Sequence, residues 1–88
     1  MNDITYKNFT LRVLTDGLKL LIIDDSNKVL HEIEPPDNSG FYFPVVTEID
    51  GPCVIVCFDQ DHKINERTDW RFTVDITTGR IERKCPWV

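Results

Sequence analysis

Cys53-Val54-Ile55-Val56-Cys57-Phe58 is the longest apolar run of this chain built from strand-forming residues. Val54, Ile55, Val56 and Phe58 are β-branched or aromatic, and the run contains no Gly or Pro. Asp50-Gly51-Pro52 before it and Asp59-Gln60-Asp61 after it are turn signals. A short apolar run so bounded reads as a strand buried on both faces. Such a strand has no side to give to water, so the remaining strands must pack around it.

The neighbouring segments supply those strands. On the N-terminal side, Ile4 to Leu14 ends in period-two alternation, with Phe9, Leu11 and Val13 set against Thr10 and Arg12. Thr15-Asp16-Gly17 interrupts it before Leu18 to Ile23, a second candidate interior strand. Asp-Gly between two apolar runs is a hairpin signal, because Gly takes the positive φ of a tight turn. Asp24 to Lys28 is a polar turn, Val29 to Ile33 a short strand, and Glu34 to Gly40 a loop that its two prolines keep out of any ladder. Phe41 to Glu48 is a strand that Pro44 confines to an edge or marks with a bulge.

On the C-terminal side, Asp59 to Asp69 is polar apart from Ile64 and reads as a long loop or one turn of helix. Trp70, Phe72, Val74 and Ile76 then alternate with Arg71, Thr73 and Asp75. Gly79 is placed for the turn into a last strand, Arg80 to Cys85, whose charges suit an edge. Trp70 and Trp87 are expected near one another at the open end of this hairpin.

No segment is long enough for a helical crossover, so pairing must be antiparallel. The chain reads as one all-β domain, residues 1–88, of about seven antiparallel strands in a meander, closed as a barrel or folded as a sandwich. The alternative is α+β, with one short helix near residues 61–68.

Composition narrows the function. Eighty-eight residues make one modest core and leave little room for an enclosed active site. Fifteen acidic residues against ten basic ones give a net charge of −5. From Asp24 to Asp50 seven acids face one base, Lys28. This balance repels phosphate backbones, so direct nucleic-acid binding is not expected, and no apolar segment is long enough to span a membrane.

Three cysteines, of which Cys53 and Cys57 lie too far apart on one strand to join, and a polar start without a signal-peptide core point to the cytoplasm. Cys57, inside the apolar run, is expected to be buried and inert. Cys85, preceded by Arg83 and Lys84, is the better reactive thiol.

No catalytic, cofactor or metal motif stands out. Asp59, Asp61, His62 and Glu66 begin like a calcium loop but lack its Gly and closing acid. Cys57 with His62, and Cys85 with His31, have nothing local to orient a thiol–imidazole pair. The expected function is therefore a non-enzymatic protein-binding module: a small acidic inhibitor, an immunity-type protein or an adaptor. Its partner would be a protein with a basic surface, met by Glu34, Asp37, Tyr42, Glu48 and Asp50. Trp70 and Trp87 would form a self-association patch. One alternative is a homo-oligomeric β-protein holding a small ligand among Trp70, Phe72, Tyr42 and Phe58, with His31 or Arg71 inside. Another is a structural subunit of a larger assembly.

Overall fold

The computed structural model describes residues 2–87. It contains eight strands: β1 (Asn2–Tyr6), β2 (Phe9–Val13), β3 (Leu20–Ile23), β4 (Val29–Ile33), β5 (Ser39–Thr47), β6 (Gly51–Phe58), β7 (Asp69–Val74) and β8 (Ile81–Pro86). All pairing is antiparallel, in two four-stranded meanders ordered β1-β2-β3-β4 and β5-β6-β7-β8. The two sheets face each other in an open sandwich. Neither β4 with β5 nor β1 with β8 forms a ladder among the described residues, so the barrel is not closed.

The additional strand comes from dividing Ile4 to Leu14. Lys7 and Asn8 make a two-residue turn, pairing Tyr6 with Phe9, and Lys7 takes a φ of 56° without being glycine. The short helix that the alternative α+β reading places near residues 61–68 is absent. That stretch has a single 3-10 turn at Gln60–His62, and a small reverse turn in which Ile64 and Arg67 exchange backbone hydrogen bonds. Asn65 and Glu66, at φ 49° and 67°, cannot continue a right-handed helix.

β6 lies inside its sheet, between β5 and β7, and Cys53 to Val56 are all 0% exposed. Successive residues of a strand point to opposite faces. Val54, Val56 and Phe58 point inward, joining Phe41, Trp70, Phe72 and Val74 of the same sheet and Leu11, Val13, Leu20, Ile22 and Ile33 of the other. Cys53 and Ile55 are equally buried but face away from that core.

β5 is an edge strand, as Pro44 requires, but the bulge falls at Tyr42 instead. Phe41 opposes Val56 while Phe43 opposes Ile55, leaving Tyr42 as the extra residue. Without the bulge, Phe41 and Phe43 would share a face. With it, Phe41 enters the core and Phe43 lies on the outer side.

The sheets are fastened at two seams. At one, β5 lies against β1 and β2, and the Phe41 N–H donates to the Gly17 carbonyl at 2.8 Å. At the other, His31 of β4 donates from Nε2 to the Thr77 carbonyl, 3.1 Å away in the β7–β8 turn. Its ring lies so close to Gly79 that a Cβ there would come within 2.8 Å of the imidazole, and Gly79 also has a φ of 75°. Only glycine meets both conditions.

Candidate functional site on the outer face of the second sheet

The outer face of a sandwich sheet is normally its polar side. On the second sheet it is not. Beside Cys53 and Ile55 stand Val45 and Phe43 of β5, and on the other flank Thr73 and Arg71 of β7, with Cys85 of β8 beyond Arg71. Trp87 completes this layer. Its backbone N–H donates to the Asp69 carbonyl of β7 at 3.0 Å, yet its ring meets Phe43 of β5 edge-on, with centroids 5.8 Å apart. The indole thus spans the intervening strand, β6. Tyr42 extends the row, its ring 4.9 Å from that of Phe43 and its side 57% exposed to solvent.

Arg71 organises the charged margin of the face. Nη1 donates to Asp50 Oδ2 at 2.8 Å and to Cys53 Sγ at 3.2 Å, while Nη2 donates to Cys85 Sγ at 3.3 Å. Lys84 Nζ approaches the other Asp50 oxygen at 3.7 Å. Asp50 and Arg71 are each only 14% exposed, so the pair is largely sheltered. The Arg71 hydrogen bond, helped by Lys84, holds the Asp50 carboxyl below its usual range, with burial acting against them. In turn Asp50, and after it Cys53, makes Arg71 still harder to deprotonate.

The acidic residues singled out from the sequence are not brought together. Glu34 and Asp37 are exposed before β5, and Glu34 approaches Lys19 at 3.8 Å. Glu48 and Asp50 lie after β5, a strand of nine residues and so about 30 Å long. Glu48 is exposed, whereas Asp50 is engaged by Arg71 and Lys84. Tyr42, between the two groups, is presented to solvent.

Trp70 and Trp87 have neighbouring backbones but diverging rings. Trp70 is 6% exposed in the inter-sheet core, capped by the Arg83 guanidinium at 5.0 Å. The residues considered for a ligand cavity are likewise dispersed: Trp70, Phe72 and Phe58 are packed in the core, Tyr42 and Arg71 belong to the outer face, and His31 is at the seam.

Cys57 is exposed, a correction to its expected burial: it points to the outer side, opposite to Phe58, between Gly40, which has no side chain to cover it, and Asp69. Partial cover of its sulfur, followed by the carboxylates of Asp69 and Asp59, pushes the thiol pKa up. His62 Nδ1 is 3.8 Å from Asp59 Oδ2, and no group of three His, Cys, Asp or Glu side chains is arranged to hold a metal among the described residues. No described helix is long and apolar enough to cross a membrane.

The outer aromatic row was half legible. The three consecutive rings of Phe41 to Phe43 must point to both faces of a strand, which brings one of them outward, but nothing local marks Trp87 as folding back across β6. No protein-family model, curated protein or solved structure matches the chain.

Proposed function

We propose that this chain is a non-enzymatic protein-binding module, of the inhibitor or adaptor kind, that docks through the outer face of its second sheet. Tyr42, Phe43 and Trp87 form the centre of the contact, and Arg71, Asp50 and Lys84 its margin. The observation that carries the reading is the row of edge-packed aromatic rings on a face that ought to be polar, ending in an exposed Tyr42. Aromatic residues and Arg are enriched at the energetic centres of protein interfaces, the aromatics because they offer large area with few rotatable bonds and Arg because its planar fork makes several hydrogen bonds at once. The partner is a protein with a basic surface. The net charge of −5 and the exposed acids at both ends of β5 favour such an encounter and speed it.

Capture from a cell lysate, read by mass spectrometry, tests this. The chain should retain a stoichiometric basic protein. Tyr42→Ala should weaken its capture at least about tenfold, as loss of a hot-spot residue does. Neutralising Glu34, Asp37 and Glu48 together should slow association and flatten its salt dependence. Recovery of the chain alone, or unchanged capture by Tyr42→Ala, would overturn the assignment.

A further inference from the structure

We propose that the cleft between Trp87 and the turn at residues 65–68 receives an arginine side chain of the partner protein. This deepens the docking assignment and rests on it, because Trp87 both closes the aromatic row and lines the cleft. The cleft has a volume of about 470 Å³ and is lined by Asn65, Glu66, Arg67, Thr68, Asp69 and Trp87. Its walls are pinned. Ile64 and Arg67 exchange backbone hydrogen bonds across the turn. The Trp70 indole donates to the Arg67 carbonyl at 3.1 Å, and the Phe58 N–H donates to the Thr68 carbonyl at 2.8 Å. On the opposite wall the Trp87 N–H is bonded to the Asp69 carbonyl at 3.0 Å. An incoming side chain therefore meets a site that needs little ordering.

The lining selects a cation. Two acids of the second sheet and its turns are half-buried, Asp50 and Asp69. Asp50 has two cations, Arg71 at 2.8 Å and Lys84 at 3.7 Å. Asp69 has none: among the described residues no cation stands within ion-pairing distance of it, and its Oδ1 accepts a neutral hydrogen bond from the Thr68 hydroxyl at 3.1 Å. Glu66 adds a second carboxylate without an ion pair among those residues, and Arg67 is the single cation of the lining. The surplus negative charge is felt next door. Cys57 opposes Asp69 in the ladder, and after partial cover of its sulfur it is a hydrogen bond to Asp69, then the charges of Asp69 and Asp59, that keep its proton on.

The indole decides which cation. A guanidinium is planar, stacks on an aromatic face and forks onto a carboxylate, whereas an ammonium is a compact and strongly hydrated point charge. A wall of Trp87 beside the carboxylate of Asp69 offers both contacts to a single arginine. The basic surface inferred for the partner supplies that residue.

The cleft is tested without the partner. N-acetyl-arginine methylamide is titrated into the isotope-labelled chain, and NMR follows the Trp87 indole N–H and the Thr68 and Asp69 amides. Binding should saturate, and the citrulline analogue, a neutral isostere, should bind at least about tenfold more weakly. The lysine analogue should fall between them. Asp69→Asn should weaken binding severalfold. Glu66→Gln, at an exposed position that does not threaten folding, should weaken it less, and Arg67→Gln should tighten it by removing the opposing charge. Tyr42→Ala, outside the cleft, should leave the probe unaffected while weakening partner capture, so the cleft and the docking assignment are read separately. Shifts that do not saturate, equal binding of the citrulline analogue, tighter binding of the lysine analogue, indifference to Glu66→Gln, or weaker binding with Arg67→Gln would each overturn the arginine assignment. Partner capture undiminished by Asp69→Asn would do the same.

Discussion

The two sheets share a topology and treat their outer faces differently. On the first, Asp3 and Arg12 form a bidentate pair, Thr5 and Glu32 are exposed, and among the described outward residues only Ile23 is buried, at 4% exposed. On the second, Cys53 and Ile55 are sealed beneath Phe43, Trp87 and Arg71. The first sheet meets water with its own side chains. The second carries a thin third layer made largely by its C-terminal residues and one arginine. The difference follows from sequence: in the first sheet β2 alternates apolar with polar and the all-apolar β3 is only four residues long, while β6 runs eight residues without a charged or amide side chain. A long strand without a polar face obliges the chain to build something over it.

The largest test of that contrast is to remove a side chain from each outer face. Ile55→Ala should cost about 3 kcal/mol, the usual magnitude for a buried aliphatic, although Ile55 lies outside the inter-sheet core. Leu21→Ala, on the half-buried outer side of β3, should cost less than about 1 kcal/mol. Equal, small losses in chemical denaturation would mean that the outer layer of the second sheet is mere surface. Trp87→Ala should follow at about 1–2 kcal/mol, less than a fully buried tryptophan. It should also expose Cys53 to a thiol reagent in the native state, a change that no loss in the inter-sheet core predicts.

The smallest effect belongs to the charged margin and appears with pH. The Arg71 hydrogen bond keeps the folded-state pKa of Asp50 below its unfolded value. Its stabilisation is therefore complete above the ordinary carboxylate pKa of about 4 and disappears as pH falls through the lower folded value. Asp50→Asn should lower Tm modestly at neutral pH, and the gap to the parent should close on acidification. A gap independent of pH down to strong acid would remove the ion pair as the cause.

Much of this architecture was legible because it rests on local patterns. The unbroken apolar run placed β6 in the interior, and the charges of Glu82, Arg83 and Lys84 placed β8 at an edge. The β1–β2 hairpin was hidden because its turn uses Lys7 and Asn8 with no glycine to mark it. Pro44 signals an edge strand or a bulge and β5 is indeed an edge; the bulge two residues earlier, which changes the face between Phe41 and Phe43, has no proline or glycine to mark it. Of the candidate site, Tyr42 and Cys85 stood out by composition and neighbours. Arg71 enters the sequence reading only as a polar group inside a ligand pocket, since its actual role depends on two sulfurs and a carboxylate brought from three other segments. Such convergence has no signature along the chain.

The seam between His31 and Gly79 has a consequence for descent as well as for packing. An imidazole on β4 fills the notch left by a missing side chain in the β7–β8 turn, so the two positions behave as a single locus. A change at 79 is tolerated only after 31 has become small, and then only by residues at ease with positive φ, such as Asn. Among descendants of this chain, 31 and 79 should therefore be inherited as a couple, although forty-eight positions separate them.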